Sequence, residues 1–261
     1  MPDSMFVEER RRVILDQLKH NGRVSVKALS ALMNVSAVTI RQDLRALEEG
    51  GLLERTYGGA VRRQSSDIPP ELSFHVRLGK RRDEKEALAA AAVRLVQEGD
   101  SVGLDASTTA YTLVPHLKRF RKLTIVTNSL AIAQSFLGIS GIQVLLPAGR
   151  LRHDSISLVG RPDTLPDINL NIGFFGVRGV SLISGMSDVD ADEVTVKQAM
   201  IARCLAPTII CDGTKWGQVA PYTFLKTDDV RHIITSSDAP VTLVNQFCER
   251  GVRVDVVGAV G

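Results

Sequence analysis

The segment from residue 25 to residue 51 constrains the fold most, because it holds two short amphipathic helices with only a turn between them. Ser25 supplies a capping hydroxyl for a helix over residues 26–33, whose Leu29 and Leu32 are expected to face inward. Asn34 and Val35 then make a turn of the length that joins the two helices of a helix-turn-helix. Ser36 caps a further helix reaching about Glu49, where Gly50 and Gly51 stop it. Upstream, residues 6–20 read as a helix: Ile14, Leu15 and Leu18 form an apolar stripe, Arg10, Arg11 and Arg12 lie beside it, and Asn21 and Gly22 end it.

The helix after Ser36 carries the chemistry. With ~100° of rotation per residue, Ile40, Leu44 and Leu47 fall on one side, while Val38, Arg41, Gln42 and Arg45 gather opposite with Thr39 at the margin. Such a face suits the major groove of double-stranded DNA. Arg bonds twice to guanine, Gln twice to adenine, and an apolar group such as Val38 meets a thymine methyl. Ser36 and the N–H groups at the helix start suit a phosphate. Residues 52–56 and 60–63 flank Tyr57, Gly58 and Gly59 as a small hairpin, a wing whose Arg55, Arg62 and Arg63 can follow the phosphate backbone. Alone, the helix is equally a solvated amphipathic surface; the order of helix-turn-helix, basic face and hairpin favours DNA. Charge agrees in placement, since residues 1–64 hold 11 of the 32 Lys/Arg and 8 of the 29 Asp/Glu, leaving 21 of each in the remainder.

Residues 24–61, "VSVKALSALMNVSAVTIRQDLRALEEGGLLERTYGGAV", resemble the helix-turn-helix of the DeoR family. One departure is Gln42, where the family usually has a second Arg, so the preferred operator does not carry over.

Composition excludes other classes. The longest apolar run, residues 87–93, is far short of the ~20 residues of a membrane span, and no export signal is seen. Cys204, Cys211 and Cys248 form no CxxC pair, which points to small buried thiols in a reducing cytoplasm. The histidines have no metal-ligand spacing, and no metal or cofactor is expected.

Residues 64–70, "QSSDIPP", suit a boundary, giving a DNA-binding domain over 1–63, a linker over 64–82 and an α/β domain over 83–261. In the last, helices are expected over 83–98, 130–136, 194–205 and 241–250, with strands over 101–104, 123–126, 144–146, 173–177, 208–211, 233–234 and 252–257. That alternation implies a mostly parallel sheet, whose ligands gather beyond the carboxyl ends of the strands. The residues there include Asp105, Ser107, Thr108, Thr109, Thr127, Asn128, Arg150, Arg178, Asp212 and Lys215. Hydroxyls, carboxylates and sparse cations suit a small phosphorylated sugar or polyol; singly, each is also an ordinary cap, turn or solvated side chain.

The motifs "GDSVGLDASTT", "LTIVTNS", "LPAGRLR", "FFGVRGV", "VKQAM" and "DGTKWG" extend the DeoR resemblance over nearly the whole chain. It implies a sensor domain similar to ribose-5-phosphate isomerase, with Asp105, Thr108, Thr109, Asn128, Arg150 and Lys215 as effector contacts. Ser107 and Ala148 stand where the family pattern has Gly, two changes expected to reshape the pocket. The preferred function is a transcriptional regulator, a repressor released by a phosphorylated metabolite and acting as at least a dimer on paired half-sites. The alternatives are an aldose–ketose isomerase, for which Asp105, Asp188, Asp190 and Asp212 offer carboxylates but no marked base, and a DNA-binding regulator that has lost sensing.

Overall fold

The computed structural model describes residues 7–49, 53–61 and 73–258. The chain divides into two compact units, Met1–Val76 and Arg77–Gly261; the 64–70 boundary segment lies outside the described residues.

The first unit runs α1 (Val7–Asn21), β1 (Arg23–Ser25), α2 (Val26–Met33), α3 (Ala37–Glu49), β2 (Glu54–Thr56) and β3 (Gly59–Val61). Ser25 Oγ accepts from Ala28 N at 3.1 Å and Ser36 Oγ from Thr39 N at 3.1 Å, so each helix of the helix-turn-helix starts at the hydroxyl expected to cap it. Between them Asn34 takes a left-handed φ of 51°, which ends α2 within one residue. Ile14, Leu18, Val26, Leu29, Met33, Ile40, Leu44, Leu47 and Leu53 form the core, each contributing roughly 1.5–3 kcal/mol by burial. Leu32 is corrected: it is 59% exposed, because Val26, Leu29 and Met33 share the i, i+3, i+7 face and Leu32 falls to its side. The wing is a sheet of order β1-β3-β2, with β1 an addition that the sequence did not mark. Gly58 turns the hairpin at φ 94°, and a Cβ on Gly59 would strike the carbonyl of Val24 in β1.

The α4 helix (Phe74–Gly79) occupies part of the expected linker and spans the boundary between the units. The second unit continues with α5 (Arg82–Val93), β4 (Ser101–Leu104), α6 (Thr108–Tyr111), α7 (Val114–Leu117), β5 (Leu123–Thr127), α8 (Leu130–Ser135), β6 (Ile142–Leu145), β7 (Arg150–Arg152), β8 (Ser157–Val159), β9 (Ile172–Gly176), β10 (Gly179–Ser181) and β11 (Gly185–Asp188). It ends with α9 (Ala191–Ile201), β12 (Pro207–Cys211), β13 (Tyr222–Leu225), β14 (His232–Ser236), α10 (Val241–Glu249) and β15 (Arg253–Val257). All seven expected strands join one parallel sheet of order β15-β14-β12-β9-β4-β5-β6. Apolar clusters cover both of its faces, one around Leu88, Leu104 and Phe174 and one around Phe175, Ile209 and Phe247.

Strand order fixes where a ligand site can form. The chain builds outward from β4 through β5 to β6, then returns to the other side of β4 with β9 and continues to β15. The reversal lies between β4 and β9, and a crevice opens beyond the carboxyl ends of strands at such a point. Two differences from the sequence expectation bear on it. The β7–β8 hairpin and the antiparallel β10-β11-β13 sheet were not anticipated, and α5 stops at Val93 rather than 98. Cys248 is exposed and Cys204 partly so; only Cys211 is buried as expected.

Candidate functional site

The outward side of α3 displays Val38, Arg41, Gln42 and Arg45, all exposed, while Thr39 is half-buried and hydrogen-bonded to Ser36 through its hydroxyl at 2.8 Å. A groove of about 370 Å³ beside this face is lined by Arg41, Arg55, Tyr57 and Gly58. Arg55 also pairs with Glu48 of α3 at 3.0 Å, which ties the wing to the helix. Arg62 and Arg63 lie outside the described residues. Asp43, on the same helix, is buried and held by Arg10 and Arg11 at 2.8 and 3.2 Å. Asp43 is therefore neutralised inside the unit.

In the second unit the loops after β4 and β9 meet at the switch point. Asp105 is 2% exposed. One of its oxygens accepts from Ser107 N at 3.1 Å, the other from Gly176 N at 2.9 Å and from Lys197 Nζ at 2.9 Å. Asp105 thus pins the two loops together. Lys197 reaches from α9, also pairs with Asp188 at 2.6 Å, donates to Gly176 O at 2.8 Å and lies over the Phe224 ring. Burial works against its charge, yet Asp105 and Asp188 more than offset this, and the ammonium is held more firmly than in water. Burial likewise opposes the Asp188 carboxylate, and Lys197 and Arg178 outweigh it, so that group stays ionised.

A second set of cations stands at the loop after β12. Lys215 Nζ is 3.8 Å from Asp212 Oδ2, and Arg81 Nε is 3.7 Å from Asp212 Oδ1. Lys85, buried in α5, donates to the carbonyls of Arg77 and Lys80 at 2.5 and 2.7 Å. Burial pushes its amine down from 10.5 to about 8, with Asp212 raising it and Lys215, Arg77 and Arg178 lowering it further. Lys85, Lys215, Arg77 and Arg178 stand close enough to repel one another, and an anion among them would relieve the repulsion.

The remaining expected contacts are placed as follows. Thr108 and Thr109 are buried at the start of α6, and Ser107 Oγ caps that helix by accepting from Ala110 N at 3.0 Å. Ser107 has φ −75°, and neither it nor Ala148 is among the described residues with positive φ, so neither position demands glycine by backbone conformation. Asn128 is buried, and its Nδ2 donates to Leu158 O at 3.3 Å, which fastens the β7–β8 hairpin. Arg150 is not brought to the cation set; it is exposed and pairs with Asp192 at 2.7 Å. Lys85, Asp188 and Lys197 join the site without having been singled out as contacts, and Arg81 meets it only through Asp212. A signal existed for the lysines: Lys85 precedes Leu88, Ala89 and Ala92, and Lys197 lies between Val194 and Met200, so each puts a cation on an apolar helix stripe.

A winged helix-turn-helix in one unit and an α/β domain with a polar switch point in the other define a transcription regulator with a ligand-sensing domain. The chain belongs to the DeoR family: residues 10–66 match the DeoR-like helix-turn-helix domain and residues 80–237 the DeoR C-terminal sensor domain. It is 30% identical to the HTH-type transcriptional regulator GolR of Listeria innocua, over 97% of this chain and 99% of that one. It is 26% identical to the glycerol-3-phosphate regulon repressor of Escherichia coli, over 95% of this chain and 98% of that one. Among solved structures, ribose 5-phosphate isomerase A of Methanocaldococcus jannaschii aligns with TM-score 0.39 and 17% identity, over 52% of this chain and 54% of that chain.

Proposed function

We infer that this regulator is a repressor that binds double-stranded operator DNA as a homo-oligomer of at least two chains and is released by a phosphorylated sugar or polyol in the cytoplasm. The observation that carries the effector reading is the gathering of Lys85, Lys215 and Arg178 around Asp212 and Asp188 near the loops beyond the strand ends. Lys85 and Lys215 would hold the phosphate, with Thr108 and Thr109 beside them, while Asp105 and Asn128 fix the loops rather than meet the ligand. The relative named for glycerol 3-phosphate supports a metabolite of this kind. On the DNA side, Val38, Arg41, Gln42 and Arg45 would read bases, with Ser36, Thr39, Arg55, Arg62 and Arg63 on the backbone.

No cofactor is invoked and no catalysis. Each of the four carboxylates considered for an isomerase base already has a task in the fold: Asp105 joins Ser107, Gly176 and Lys197, Asp188 pairs with Lys197, Asp190 caps α9 and pairs with Arg152, and Asp212 accepts from Thr214 N. The test uses the full chain and a duplex selected by it from a random-sequence pool. Ribose 5-phosphate, fructose 6-phosphate and glycerol 3-phosphate are added in turn to the complex. Release by one of them is expected; binding unaffected by any phosphorylated sugar or polyol would sink the sensing half, and turnover of the added compound the non-enzymatic half.

A further inference from the structure

Arg81 combines two oddities. It is a non-glycine residue at φ 52°, ψ 49°, immediately before the first turn of α5, a conformation that persists only where surrounding contacts enforce it. Its Nε is also, among the described residues, the buried side-chain nitrogen or oxygen left without a hydrogen bond. Its Nη2, by contrast, is 2.8 Å from Glu84 and paired with Asp238. The unmet Nε faces Asp212 Oδ1 at 3.7 Å, an ion-pair distance too long for a hydrogen bond.

Asp212 is shared. Its Oδ1 also accepts from Thr214 N at 3.0 Å and from the Thr214 hydroxyl, and its Oδ2 is 3.8 Å from Lys215 Nζ. An anion drawing Lys215 away leaves Asp212 with one cation fewer and strengthens its pull on Arg81. Residues 77–80, which precede Arg81, begin the second unit directly after the DNA-binding unit, and they are tied back by Lys85 on the carbonyls of Arg77 and Lys80. A shift at Arg81 is therefore delivered to the stretch of chain that joins the units.

We propose that Arg81 transmits occupancy of the effector site: an anion on Lys215 frees Asp212 to close on Arg81 Nε, and the turn of Arg81 redirects residues 77–80. This rests on the sugar-phosphate reading above and adds the route by which DNA affinity falls. Arg81 is a positioning residue, because it acts through Asp212 rather than on the ligand.

The test compares wild type, Arg81→Lys and Arg81→Gly in the full chain, all against the selected duplex. Lys keeps the charge but has no Nε; Gly removes the side chain and accepts the left-handed backbone, so it is expected to fold. Calorimetry gives the affinity for whichever of the three named sugar phosphates releases the wild type, and operator titrations with and without that compound give the coupling ratio. Wild type is expected to show a ratio of at least about tenfold. Both variants are expected to bind the sugar phosphate within about threefold of wild type while the ratio falls below about twofold. Variants that keep the wild-type ratio overturn the proposal, as does loss of sugar-phosphate affinity in step with the ratio, which makes Arg81 a ligand contact. A wild type that binds none of the three overturns the effector reading itself and the route with it.

Discussion

Arg10 Nε of α1 lies 2.8 Å from Asp43 Oδ2 of α3, and this pair joins the first helix to the inner side of the helix proposed to read DNA. Asp43 is 2% exposed and Arg10 9%, so the pair is desolvated and neither charge tolerates loss of the other. Breaking such a pair from one side costs about 3–5 kcal/mol. Asp43→Ala is expected to destabilise the first unit by about that amount. Trp216, the chain's single tryptophan, lies in the second unit, so its fluorescence follows that unit alone. In urea, circular dichroism is expected to show an early loss of helix in the variant while the Trp216 midpoint stays put. A wild-type dichroism profile would show that the pair contributes nothing.

The DNA face divides into two kinds of contact with different signatures. Arg41→Ala is expected to cost about 1–3 kcal/mol and relax the preference at one base pair of the selected duplex. Arg55→Ala removes a wing cation that Glu48 partly neutralises. It is expected to weaken all duplexes alike and lower the salt slope by at most about 1. Titrations against matched and mutated duplexes at several salt concentrations separate the two, and the reverse pattern would exchange their roles.

Much of this arrangement was legible because it is local. Ser25, Asn34 and Ser36 mark the ends of α2 and α3 through hydroxyl caps and a left-handed residue, all set by neighbours within a few positions. The seven parallel strands were legible as buried apolar runs. What could not be read is long-range pairing. Nothing local marks Asp43 as the partner of Arg10; packing of α1 on α3 brings the two together across 33 positions. Asp105 was expected beside a ligand, and its pairing with Lys197, remote in sequence, and with Gly176 was not foreseen. The β7–β8 and β10-β11-β13 strands are three or four residues long and mixed in polarity, too short to show a period.

Lys85 gives a pH dependence with a definite sign. Its amine titrates near 8 when folded and near 10.5 when unfolded. Between those values the unfolded chain binds more protons, so Lys85's contribution to stability rises with pH there and is flat below 8. Lysine-selective NMR is expected to show one side chain with a midpoint near 8. A phosphate held by Lys85 needs the ammonium, so sugar-phosphate affinity is expected to fall as pH rises through that midpoint, and to lose this dependence in Lys85→Met. A titration in which every lysine stays charged past pH 10 would contradict the burial argument.

Ser107 tests how this chain accommodates a departure from its family's pattern. Its side chain packs against the Cα of Gly176 in β9, so closely that a Cβ added to Gly176 would collide with Ser107 Cβ and Oγ. The extra volume has thus gone against a neighbouring glycine at the switch point. Gly176→Ala is expected to destabilise the second unit by about 1–3 kcal/mol through overpacking. Ser107→Gly, which loses a capping hydroxyl, is expected to cost only a few tenths. In the double variant the new methyl meets nothing nearer than Asp105 Oδ2 at 3.7 Å, ordinary contact, so its stability is expected to match Ser107→Gly alone. Thermal melts followed by Trp216 fluorescence measure all three. Additive costs would mean that the two side chains do not share this space, and the serine would then have to be sought facing the ligand.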